Sequence, residues 1–113
     1  MIYIARFIDI VKKDDDKTPI SVAKTCPPWY DGVRYQVMAP DDDSKENYIA
    51  KLSGLNVIRT VNRILYLGQN HEPILVCDSA WQCEVLTDWL TDNGFESEYY
   101  KEKKDGNRSV GEE

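Results

Sequence analysis

Met1-Ile-Tyr-Ile-Ala-Arg-Phe-Ile8 alternates only moderately but is rich in Ile and Tyr, a pattern that predicts an opening β-strand. Residues 12–18 read as a charged loop, and Pro19-Ile-Ser-Val-Ala-Lys-Thr25 alternates again as a second strand, with proline tolerated at its first position. Cys26-Pro-Pro-Trp-Tyr-Asp-Gly32 then breaks the pattern as a turn-rich loop whose prolines limit φ. A short extended segment is expected over residues 34–38.

From there the period lengthens. Residues 44–52 are weakly helical, with Asp43 or Ser44 as cap and Gly54 as stop. Asn56 caps a further helix, ended by Gly68, in which Val57, Ile58, Val61, Ile64 and Leu65 share one face. The unbroken apolar run of residues 74–77 predicts a short buried strand. After Ser79, a candidate cap, Trp81, Val85, Leu86, Trp89 and Leu90 form one apolar stripe, while Gln82, Glu84 and Asp88 are expected to face water. Asn93-Gly94 ends that helix, residues 95–100 read as a terminal strand, and residues 101–113 as a charged, frayed tail. The order predicts one α/β domain over residues 1–100, with a mostly parallel sheet of four to five strands flanked by helices. The last two strands should be parallel, through a right-handed crossover.

Composition narrows the function. The chain has 113 residues and a net charge of −6, with acid gathered in Asp14-Asp15-Asp16 and Asp41-Asp42-Asp43. Nucleic-acid affinity comes from Lys and Arg neutralising phosphates, so direct nucleic-acid binding is not expected. An acidic surface suits a basic protein partner, or it simply solvates loops. No apolar run approaches the roughly 20 residues that span a bilayer. Cys26, Cys77 and Cys83 are odd in number, His71 is the single histidine, and there is no C-x-x-C pair. These features predict a cytoplasmic protein with reduced thiols, no metal site and no cofactor.

Candidate chemistry gathers where the run of residues 74–77 meets the last helix. Ligands of open α/β sheets collect at the carboxyl ends of strands, beside free helix amides. Cys77 and Asp78 are therefore the candidate catalytic residues, a thiol nucleophile and an acid or base. A phosphatase-type loop would need Cys-x5-Arg, and the sixth residue after Cys77 is Cys83. The competing readings are a small buried core cysteine and an aspartate at a helix cap; Cys77 and Cys83 also have a spacing compatible with a redox pair. The other constellation is aromatic and polar. If the second strand lies beside the run ending in Cys77, then Ser21, Trp29, Tyr30, Arg34 and Tyr35 approach Asp78 and Ser79 and offer a pocket for a base or nucleoside. The alternative has Trp29 plugging the core with Tyr30 packed on it.

Four blocks carry a family resemblance: Met1-Ile-Tyr; Pro19-Ile-Ser-Val with Pro28-Trp-Tyr-Asp-Gly32; Tyr35 with Ala39-Pro40; and Ile74-Leu-Val-Cys77 leading to Trp89-Leu90. Over residues 1–90 the chain resembles the short members of the family named domain of unknown function 488, many of them from phages and bacteria. Members usually carry Cys-His-Arg early in the last helix. Here Trp81-Gln82-Cys83 or Cys83-Glu84-Val85 stands in that place, with neither His nor Arg. The missing basic pair implies binding in place of turnover.

The expected function is thus a small non-catalytic binding protein, phage-like, that takes a nucleotide- or nucleoside-like ligand at the carboxyl edge of its sheet. One alternative is an acidic, protein-binding inhibitor of a host nucleic-acid-binding or defence enzyme. The other is a hydrolase or transferase acting on a nucleoside-like substrate.

Overall fold

Buried on both faces, the run Ile74-Leu-Val-Cys77 belongs in the middle of a parallel sheet. In the computed structural model, which describes residues 1–10 and 16–100, it does sit there. Residues 11–15 and 101–113, which include Asp14, Asp15 and the expected tail, lie outside the described residues. The strands are β1 (Ile2–Arg6), β2 (Lys17–Ser21), β3 (Val33–Arg34), β4 (Glu72–Cys77) and β5 (Ser97–Tyr99). They form one five-stranded sheet in the order β3-β2-β4-β1-β5, with every neighbouring pair parallel. The helices are α1 (Lys45–Ser53), α2 (Val57–Leu67) and α3 (Ala80–Asp92). β4 and β5 are parallel as expected, but β1 is inserted between them.

The order dictates which face each connection covers. From β3 to β4 and from β4 to β5 the chain steps across the sheet in one direction; from β1 to β2 and from β2 to β3 it steps in the other. Parallel crossovers keep one hand, so the two directions must use opposite faces. Core packing follows this rule. Ile4, Ile20, Leu75 and Cys77 pack with α1, α2 and α3 on the first face. Ala5, Ile74 and Val76 pack on the second with Phe7, Ile10, Ala23 and Tyr30, which come from the two connections whose described residues contain no α-helix. Three helices cover one face, and an aromatic roof of two loops covers the other. Below that roof Lys17 lies 4.9 Å from the ring centre of Tyr3, and Tyr3 meets Tyr100 edge-on at 5.9 Å.

Local chemistry sets the helix ends. The Asn47 amide donates to the Ser44 hydroxyl at 3.1 Å and the Arg59 amide to the Asn56 carbonyl at 2.9 Å, so Ser44 and Asn56 cap α1 and α2 as expected. α3 is different. Ser79 holds the cap position but its side chain makes no cap hydrogen bond. Gln82, expected in water, is 1% exposed. Its carbonyl accepts from the Asp78 amide at 3.3 Å, and its Nε2 donates to the Val22 carbonyl at 2.6 Å and the Tyr48 hydroxyl at 3.1 Å. One amide thereby ties the start of α3 to the end of β2 and to α1. Trp89 closes the other end by donating to the Leu52 carbonyl at 3.1 Å.

Other expectations need correction. The expected buried face of α2 loses Ile58 (65% exposed) and Leu65 (50%), because the helix turns Thr60, Val61 and Ile64 to the sheet. β2 runs over Lys17–Ser21 where residues 19–25 were expected, because its pairing with β4 already begins at Glu72. Of the expected extended segment 34–38, only Arg34 is strand. Residues 36–38 close a 3-10 turn, in which the Ala39 amide donates to the Gln36 carbonyl at 3.0 Å, and Met38 enters the core. The last strand is Ser97–Tyr99, shorter than the expected 95–100.

Candidate functional site

β4 is flanked on both sides by strands whose chains leave toward the opposite face. From Cys77 the chain turns into α3 on the helical side, whereas after β1 and β2 it climbs into the roof. Such a divergence opens a crevice at the carboxyl ends of the strands. A cavity of about 350 Å³ lies there, lined by Arg6 at the end of β1 and Phe7 after it, by Cys26 and Trp29 after β2, and by Asp78 after β4. This is at the small end of the roughly 300–1,000 Å³ range of ligand pockets, the size of one compact ligand.

The walls are rigid and chemically unlike one another. Trp29 is 48% exposed. It is held edge-on to Phe7 (6.1 Å between ring centres) and to Tyr30 (6.3 Å), and Phe7 meets Tyr30 at 5.3 Å. Such edge-to-face contacts fix the ring planes. Tyr30 is buried beneath, and its single hydroxyl proton is donated to the Val33 carbonyl at 2.5 Å, with the Pro19 carbonyl 3.2 Å away; burial pushes its pKa far above the ordinary tyrosine value. A Cβ on Gly32 would lie 2.8 Å from that hydroxyl, so the turn after Tyr30 closes only around glycine. Ser21 lies fully buried on the roof side, 3.1 Å from the Cys26 sulfur, and accepts from the Ala23 amide at 3.3 Å. Ser21 therefore positions Cys26 and does not itself line the cavity.

A second cavity, about 720 Å³, adjoins the first and shares Arg6 and Ile8 with it. Asp9, Cys83, Asp88 and Tyr99 line it. Here the Arg6 amide donates to the Tyr99 hydroxyl at 3.2 Å, and Tyr99 donates to the Asp9 carboxylate at 2.6 Å, which ties β1 to β5. Cys77 has no exposure. Burial holds its thiol protonated well above the usual range, while a hydrogen bond from Cys77, with the charge of Arg6, lowers that of Cys83. All three cysteines are free thiols.

The structure thus brings Trp29 and Asp78 together at the crevice, keeps Tyr30 and Ser79 next to them without lining it, and separates Arg34 and Tyr35. Ser79 sits beside Asp78 at the start of α3, Tyr30 lines a neighbouring cavity with Pro19 and Gly32 that shares Trp29 with the crevice, and Arg34 and Tyr35 lie in a groove against α2. Arg6, Phe7 and Cys26 line the crevice without having been singled out in the sequence. In the acidic run of residues 41–43, Asp42 serves the entry of α1 by accepting from the Ser44 amide at 2.9 Å and from Asn47 at 3.0 Å, and Asp41 pairs with Lys51 in the last turn of that helix at 3.0 Å. Among the described residues no three His, Cys, Asp or Glu side chains converge to hold a metal ion, and no helix is long and apolar enough to cross a membrane. No family model, curated protein or solved structure matches this chain.

Proposed function

We propose that the protein binds a single nucleotide- or nucleoside-like molecule in the crevice between Arg6, Trp29 and Asp78, and does not turn it over. The observation that carries this reading is the meeting, at the point where connections diverge to opposite faces, of a half-exposed indole and an arginine. The indole face takes the base. The Arg6 guanidinium and the first amides of α3, which have no partners within the helix, take a phosphate. The Asp78 carboxylate accepts from a sugar hydroxyl. Binding is favoured over catalysis because Cys77 is sealed in the helical layer with its proton held, and His71 is an exposed loop residue away from the crevice lining. The three free thiols fit work in the cytosol.

A thermal-shift screen against nucleosides and nucleoside monophosphates tests this. Ligand at about 100 times its dissociation constant adds roughly 2.7 kcal/mol of apparent stability. Trp29→Ala and Arg6→Gln should each abolish the shift produced by the best ligand. An unchanged affinity in the folded Trp29→Ala protein would falsify the assignment.

A further inference from the structure

The face of α2 turned away from the sheet is built unlike the rest of this acidic molecule. Arg59, Arg63 and Tyr66 recur at helical spacing and face Arg34 and Val37 across a groove of about 660 Å³. No carboxylate lines the groove, and among the described residues none of the three arginines has an ion pair. Three guanidiniums thus converge on one wall system of a chain whose net charge is −6. Beside them on the same helix, Ile58 and Leu65 stand in water, and Tyr66 is 70% exposed. Ile58 and Leu65 thus give the arginine wall an exposed apolar margin on the same helix.

We propose that this groove docks a short acidic segment of a partner protein, in which carboxylates alternate with aliphatic side chains. Arginine pairs bidentately with carboxylates, and each guanidinium here has free donors to do so. The aliphatic residues of the segment cover Ile58, Leu65 and Val37. A single-stranded nucleic acid would satisfy the charge but not the shape of the surface. Arg63 already lies over the Tyr66 ring, 5.2 Å from its centre, and Tyr35 is packed against the core, so few aromatic faces remain for bases. Three cations also neutralise few phosphates against a net negative field.

Fluorescence anisotropy with a labelled peptide of interleaved glutamate and leucine is the test. A glutamine-for-glutamate peptide and an oligodeoxythymidine serve as comparison probes. The glutamate peptide should bind, more weakly as salt rises. Arg59→Ala combined with Arg63→Ala should weaken it at least about tenfold, the loss expected for two charge-assisted contacts. Both side chains are exposed, so the variant's melting temperature should match the parent's, confirming a folded comparison. The proposal is overturned by absence of binding, by equal affinity in the double variant, by equal binding of the glutamine peptide, or by tighter arginine-dependent binding of the oligonucleotide.

Discussion

Replacing Gln82 with alanine should lower the unfolding free energy by about 3 kcal/mol, because the change takes hydrogen-bond partners from groups at three places in the chain, two of them buried. The Val22 carbonyl loses its 2.6 Å donor, the Tyr48 hydroxyl loses a donor at 3.1 Å, and the Asp78 amide loses its acceptor. For a domain of this size that corresponds to a fall in melting temperature on the order of 10–20 °C. Gln82→Glu sharpens the test by keeping the shape and adding a proton equilibrium. A glutamate buried here has its folded pKa raised, so its contribution is present below the unfolded value of about 4.3 and is lost as pH rises. The variant's deficit relative to the parent should therefore grow from acid to neutral pH. A change within about 0.5 kcal/mol for Gln82→Ala, the size of an ordinary surface effect, would show that the amide is not the tie described.

Alkaline destabilisation should be the second large effect. Burial raises the folded pKa of both Tyr30 and Tyr48, and each hydroxyl donates to a backbone carbonyl, Tyr48 to Met38 at 2.6 Å. A raised folded pKa means stability that is complete below the unfolded value of 10.0 and is lost as pH climbs beyond it. The unfolded chain then holds fewer protons than the folded one. Tyr48 alone should contribute a loss of about 1.4 kcal/mol per pH unit above pH 10. Cys77, also raised, works in the same direction from about pH 8.5, and Cys83, lowered, opposes it. Denaturant midpoints measured up to about pH 12 should fall steeply in the parent and less steeply in Tyr48→Phe. An identical slope in that variant would show that the phenol does not carry the effect.

Much of the architecture was legible because the sheet imposes simple patterns. A doubly buried run such as residues 74–77 has few homes outside a central parallel strand, and Ser44 and Asn56 are good caps wherever helices start. The misreadings arose where residue type and helical position disagreed. Gln82 lies four residues before Leu86 and seven before Trp89, squarely on the buried stripe, yet its polarity assigned it to water. Position prevailed because Val22 and Tyr48, distant in sequence, supply partners. Ile58 and Leu65 erred in the opposite sense: their apolarity placed them inside, while the spacing of Thr60, Val61 and Ile64 defines a buried face that excludes them.

The candidate site was half legible for a related reason. Trp29 and Asp78 follow from the rule that ligands gather at strand ends, applied to the strands before and after the proline loop. Arg6 ends a strand too, but its relevance depends on β1 lying beside β4, a pairing between residues about seventy positions apart. Ser21 does stand at a strand end, but the alternation of β2 points it into the roof, under Cys26. Arg34 and Tyr35 were separated from Trp29 by the outward step of β3 to the sheet edge, which no local pattern announces.

Cys26 offers the most direct measurement of where a ligand sits, since it lines the crevice while Cys83 lines the adjoining cavity and Cys77 is sealed. Alkylation by iodoacetamide, followed site by site by mass spectrometry with and without the best nucleotide from the thermal-shift screen, separates the three. Saturating nucleotide should slow modification of Cys26 at least about tenfold and leave Cys83 close to its free rate, with Cys77 unreactive throughout. A Cys26 rate unchanged at saturation would contradict the assignment and place the ligand elsewhere on the molecule.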